Sequence, residues 1–125
     1  MARSKSSSNK GDRAMTQGFV AQYAVEATLA TPGVFGLDSS NLVSLKESLV
    51  GEHEGKGVLV EFNDTKEDLV SITVFPIVYY GDVIPEVAWA IQEQVKNDVE
   101  KYTGLFVDSV NVHVKGVIAR DDIKV

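Results

Sequence analysis

Few residues in this 125-residue chain are equipped for chemistry, and they are scattered. It contains no cysteine, which removes thiolate nucleophiles, disulfides and every zinc site built on thiolates. His53 and His113 are the only imidazole bases that could serve a serine or threonine nucleophile, and no G-x-S-x-G elbow accompanies them. His53 stands between Glu52 and Glu54 in the segment GEHEGKG. Neighbouring donors in a glycine-flanked loop diverge, so this segment reads as a solvated loop and not as a metal site. It also fails as a phosphate loop. Three residues separate Gly51 from Gly55 where four are needed, and Gly57 follows Lys56 where a hydroxyl residue belongs. Gly33-Val34-Phe35-Gly36 has the GXXG spacing of RNA-binding KH domains, but no basic residue lies between its glycines; it reads as a helix stop. Asp64, Glu67 and Asp68 fall in a turn, Asp121 and Asp122 in a terminal segment, and Asp98 at the margin of a helix stripe beside Lys101. No catalytic constellation, cofactor site or metal site is assembled, and the expectation is a binding protein that is not an enzyme.

Residues suited to binding are easier to find. Asn111, His113 and Lys115 alternate with Val110, Val112 and Val114, so a strand there presents one polar face able to recognise a carboxylate or another chain; an ordinary wet sheet face is the alternative. Trp89 is the only tryptophan. At roughly 100° per residue it lies away from the apolar stripe of its helix, toward Glu93, Lys96 and Glu100. Either a loop covers it, the first reading, or it is an exposed anchor for a partner. With Tyr80 beside the Gly81-Asp82 break, the candidate partner-binding residues are Trp89, Tyr80, Asn111, His113 and Lys115.

The elements that must position these residues follow from periodicity. A helix is expected over 16–31 with Phe19, Val20, Tyr23, Ala27 and Ala30 on one side, stopped by Pro32 and Gly33. Ser39 or Ser40 caps a short helix over 41–50, ended by Gly51. Strands 58–62 and 69–80 form a hairpin around NDTKED. Pro76 cannot donate to a ladder, so it marks an edge or a bulge, which favours strand 58–62 in the middle of the sheet. Pro85 opens a long helix over 85–102 with Val87, Ala88, Ile91, Val95, Val99 and Tyr102 on its stripe, and Gly104 closes it. A last strand covers 106–115. The expected fold is an α+β two-layer sandwich: one three-stranded sheet with helices on its apolar face.

Length and a 44% hydrophobic share fit one globular domain. Charge is uneven. In residues 1–14 four basic residues against Asp12 give +3, which leaves −9 for the rest of a chain whose total is −6. An acidic body repels phosphate backbones, so nucleic acid is not an expected partner of the folded part. Residues 1–14 are serine-rich and nearly free of large apolar side chains, so they are expected to be a disordered basic tail, with the domain over 15–118 and a C-terminal tail over 119–125. No run approaches the ~18 apolar residues of a membrane span, and the N-terminus lacks the apolar core of a secretory signal, so a cytoplasmic protein is expected.

The stretch from Val74 to Val117 carries YYG at 79–81, IPEVAWAIQEQV at 84–95, YTGL at 102–105 and VNVHVKGV at 110–117, in that order. It resembles the alkaline shock protein family of Gram-positive bacteria, the envelope stress response proteins. PGVFGL at 32–37 looks like the family's weaker N-terminal half, and Pro76 departs from its usual apolar strand residue. The resemblance implies a non-enzymatic cytoplasmic protein tied to the cell envelope, without cofactors. It implies a scaffold or adaptor for a protein partner, such as a small integral-membrane anchor, or for copies of itself, with peripheral placement at the membrane through that partner. A regulatory partner of a lipid-synthesis enzyme is the second reading, and KH-like RNA binding the third. The family supplies no catalytic residues to carry over.

Overall fold

A computed structural model describes residues 10–38 and 57–120, with side chains from Met15 onward in the first helix. The described residues form α1 (Lys10–Ala30), β1 (Val34–Leu37), β2 (Val58–Phe62), β3 (Leu69–Val74), β4 (Pro76–Tyr79), α2 (Ile84–Thr103), β5 (Phe106–Val112) and β6 (Gly116–Ile118). The architecture is α+β, as the periodicity predicts. The short helix expected at 41–50, its serine cap and the His53 loop lie outside the described residues.

The helix α1 starts at Lys10, inside the segment expected to be a disordered tail. Scarcity of apolar side chains does not stop a helix that is already nucleated, because each further residue adds one backbone hydrogen bond. Its buried side is Val20, Ala21, Ala24, Ala27 and Thr28, while Phe19 and Ala30, expected on that side, are exposed. Alanines let the helix sit close to the sheet. Buried Thr28 and Thr31 satisfy their hydroxyls by donating to the carbonyls of Ala24 (2.7 Å) and Ala27 (2.9 Å).

The strands form two three-stranded groups, β2-β3-β5 and β1-β4-β6, where one sheet of three strands was expected. β2 runs antiparallel and β5 parallel to β3; β1 runs antiparallel and β6 parallel to β4. The expected strand 69–80 is interrupted at Phe75, and the expected strand 106–115 gives way to β5 and β6. Backbone bonds bridge the break: Phe75 N–H to the Gly57 carbonyl (3.1 Å), Asp38 N–H to the Phe75 carbonyl (2.9 Å) and Lys115 N–H to the Pro76 carbonyl (2.9 Å). Central position falls to β3 and β4, which corrects the expectation that strand 58–62 lies in the middle. Pro76 is buried in the central strand of its group, yet it opens that strand, where a missing N–H costs no regular ladder bond. The helix stop read at Pro32 and Gly33 holds, with α1 ending at Ala30 and Gly33 at φ 96°, and the residues that follow form β1; Val34 and Gly36 pair with Val78 and Ile77, so the glycines do not make a nucleotide-clamping loop.

Both helices cover one face. α2 buries Val87, Ile91, Val95 and Val99, spaced by four as an amphipathic helix requires. These meet Val70, Ile72, Val74, Val78, Val107 and Val110 of the strands. Tyr102, expected in the stripe, is 55% exposed, but its ring stacks on Tyr23 of α1 with centroids 5.1 Å apart. The end of α2 is set by Gly104 at φ 78°, whose N–H returns to the Glu100 carbonyl.

Candidate functional site

β5 is an edge strand, and the way its edge is used defines the site. In a parallel ladder alternate residues bond to the neighbour and those between them point away. Val110 and Val112 face Ile72 and Val74 in register, and His113 and Lys115 donate inward to the carbonyls of Val74 and Pro76 (both 2.9 Å). The backbone groups of Val110, Val112 and Val114 therefore point outward.

α2 closes the first part of this edge. Glu100 accepts the Val107 N–H through Oε2 at 2.9 Å, Lys96 donates to the Val107 carbonyl at 3.4 Å, and Gln92 donates to the Val110 carbonyl at 3.0 Å. Lys96 and Glu100 are also paired at 2.9 Å. The Val107 N–H, and next the Lys96 ammonium, hold the Glu100 carboxyl below its ordinary pKa. Three polar side chains thus cover outward strand groups that would otherwise be free to pair with another chain.

Trp89 continues the same row. It is seven residues before Lys96 and eleven before Glu100, spacings that return to one side of a helix. It is 63% exposed, so no loop among the described residues covers it, which corrects the first reading of this residue. α2 runs opposite to β5, because Gln92 meets Val110 while Glu100 meets Val107. At ~1.5 Å per helical residue and ~3.3 Å per strand residue, Trp89 lies level with residues 111–112.

The other candidates do not all join it. Asn111, His113 and Lys115 are exposed and lie on the sheet face away from the helices. His113 sits beside the Phe75 ring, with centroids 5.6 Å apart, and Asn111 reaches the Thr73 hydroxyl at 3.5 Å. Tyr80 is 73% exposed at the end of β4, where its N–H donates to the Ile118 carbonyl. Trp89 and the polar trio therefore flank one strand edge from opposite faces, and Tyr80 stands at its far end. Sequence reasoning missed Gln92, Lys96 and Glu100 as edge residues. Their signal was present as a polar stripe at spacings of four, but such stripes usually meet only water.

A concavity of about 490 Å³ opens where α2 begins. Its charged lining is Asp82, Glu86 and Arg120. Arg120 pairs with Asp82 at 3.5 Å and lies over the Tyr79 ring at 4.2 Å, so its cation is already engaged. No nucleophile is held against a base there. Among the described residues no group of three His, Cys, Asp or Glu side chains could hold a metal ion, and no helix is long and apolar enough to cross a membrane.

A profile of the alkaline shock protein family, described by a cell envelope-related function, matches residues 5–119. The chain belongs to this family. The uncharacterized protein YloU of Bacillus subtilis is 37% identical over 100 residues, covering 78% of this chain and 81% of that protein. The uncharacterized protein Spy1614 of Streptococcus pyogenes is 36% identical over 87 residues, covering 68% of this chain and 69% of its own. Family membership accordingly supplies a cell envelope-related setting and a Gram-positive context. Among solved structures the MamM CTD is similar at a TM-score of 0.46 and 16% identity, over 78% of this chain and 92% of that one.

Proposed function

We propose that this member of the alkaline shock protein family is a non-enzymatic adaptor that works at the cell envelope by holding a protein partner on the β5 flank. The observation that carries the reading is Trp89: a large aromatic left 63% exposed, in the helix row whose next members cover the edge of β5. An exposed tryptophan beside a partly open strand edge is an energetic centre for recognition, since tryptophan dominates many interface hot spots. The partner suited to an envelope setting is a membrane protein that recruits the chain to the cytoplasmic surface. The acidic body argues against a nucleic-acid partner, because its net negative charge repels a phosphate backbone.

Photo-crosslinking in the native cell tests this reading. A photoreactive residue at position 89 is expected to capture one membrane-fraction protein, and the same residue at position 64, in the remote hairpin turn, is not. A chain that fractionates wholly with soluble protein and yields no specific crosslink from position 89 overturns the proposal. Capture of a lipid-synthesis enzyme instead replaces the envelope adaptor with the regulatory reading.

A further inference from the structure

The edge of β5 is sealed over only half its length. Glu100 and Lys96 occupy both outward groups of Val107, and Gln92 occupies the outward carbonyl of Val110. Among the described residues no side chain reaches the outward backbone groups of Val112 or Val114. Position 89 is where the row of polar edge-covering side chains gives way to an indole. Polar side chains that reach the backbone block an added strand; an exposed ring level with a free edge can instead cover one.

We propose that Val112–Val114 is a docking edge for a single extended segment of a partner protein, which adds to the sheet beyond β5 with alternate apolar residues under Trp89 and alternate acidic residues level with His113 and Lys115. This deepens the adaptor reading by naming the surface and the kind of segment it takes.

Width selects a lone segment. Added strands lie ~4.8 Å apart, while helix axes need 8–10 Å. α2 sits against the β5 edge closely enough for three of its side chains to bond there. Antiparallel pairing of two copies over 112–114 would bring the first turns of two such helices onto one face of the joined sheet, where they crowd each other; a segment one backbone wide avoids this.

Charge selects the alternate residues. On the sheet face away from the helices, the side chains around the open stretch are Thr73, Phe75, Ile77, Asn111, His113 and Lys115. Lys115 has no carboxylate within ion-pair reach among the described residues. Side chains of an added strand alternate between faces. An acidic residue beside Lys115 therefore has a neighbour turned to the helix side, where Val112, Val114 and Trp89 lie. This is strand addition, with backbone bonds supplying affinity and alternate side chains supplying specificity.

The test uses the full chain and an acetylated octapeptide alternating valine and glutamate, with a valine–lysine octapeptide as the counterpart. Saturation with the glutamate peptide is expected to slow amide exchange at Val112 and Val114 about tenfold or more and to shift Trp89 emission to the blue. The lysine peptide is expected to bind about tenfold more weakly, and Lys115→Glu to reverse that order. Val114→Pro, which removes one outward N–H and no inward ladder bond, abolishes binding. If that variant fails to fold, the reversal by Lys115→Glu and weakening by Trp89→Ala carry the same information. Absence of protection at both valines at millimolar glutamate peptide overturns the proposal. So does protection of those amides without peptide in a dimerising sample, which assigns the edge to a second copy. The peptide result does not depend on what the cell supplies: no crosslinked membrane protein with intact peptide binding removes the envelope adaptor and keeps the docking edge.

Discussion

The Glu100 carboxylate accepts the backbone N–H of Val107 at 2.9 Å, across the turn that joins α2 to β5. Gly104 makes this possible by reversing the chain in a left-handed conformation at φ 78°, which brings the start of β5 back beside the last turn of the helix. The bond ties the helix to the sheet edge at the point where a polar group is most needed.

This link has a pH signature. The folded-state pKa of Glu100 is below its ordinary 4.5, so the ionised carboxylate favours the folded chain at pH values above 4.5. That contribution is lost as pH falls from about 4.5 through the lower folded value. Glu100→Gln is expected to flatten the decline of stability in this acid window while lowering stability at neutral pH. Urea melts from pH 7 to pH 3 measure both, and parallel curves for the two chains would assign the acid sensitivity to other carboxylates.

The Tyr23–Tyr102 stack links the two helices directly. Its rings are 5.1 Å apart with planes 17° from parallel, on a partly exposed seam. Stacked aromatic pairs contribute about 0.5–1.5 kcal/mol beyond burial. A double-mutant cycle with Tyr23→Leu and Tyr102→Leu is expected to return a coupling of that size. Additive effects would show that each ring acts through burial alone.

Two glycines with positive φ should respond differently to alanine. Gly33 is at φ 96°, and an added Cβ would lie 2.8 Å from a Val87 methyl and 3.0 Å from an Asp82 carboxylate oxygen. Gly104, at φ 78°, has nothing within 4 Å. Gly104→Ala therefore meets only the left-handed backbone penalty, about 1 kcal/mol, whereas Gly33→Ala meets that penalty plus a clash and should cost about 2–3 kcal/mol. Thermal melts rank the two, and equal costs would mean that Val87 moves aside freely.

The difference between legible and hidden features follows from range. α2 was readable because Pro85, the four-residue spacing from Val87 to Val99 and Gly104 are all local signals. The polar alternation of Asn111, His113 and Lys115 was readable for the same reason. β1 was hidden because its four residues carry two helix-ending glycines' worth of turn signal around them, and only pairing with Val78 and Ile77 makes them a strand. Central placement of Pro76 was hidden because the matching breaks in adjacent strands, not the proline's own chemistry, accommodate it. The exposed flank of Trp89 was legible as an angle on a helical wheel, but the strand edge beside it was not, since nothing in a helix stripe states which strand lies under it.

Trp89 decides the assignment of the site, and as the only tryptophan it reports on itself. With 63% of the residue exposed, the free chain is expected to emit at red-shifted wavelengths and to be quenched by iodide. Trp89→Ala removes little buried surface, so stability should change by no more than about 0.5 kcal/mol. Ile91→Ala, two residues along the same helix but fully buried, should cost about 3 kcal/mol. The contrast separates a recognition residue from a core residue within a single helix. Loss of a captured partner from Trp89→Ala, with an unchanged melting temperature, places the indole at the interface, where a hot-spot tryptophan contributes about 2 kcal/mol or more. Blue emission in the free chain together with a core-sized loss of stability would instead make Trp89 part of the packing between α2 and the β5 edge, and the binding site would have to be sought elsewhere on the molecule.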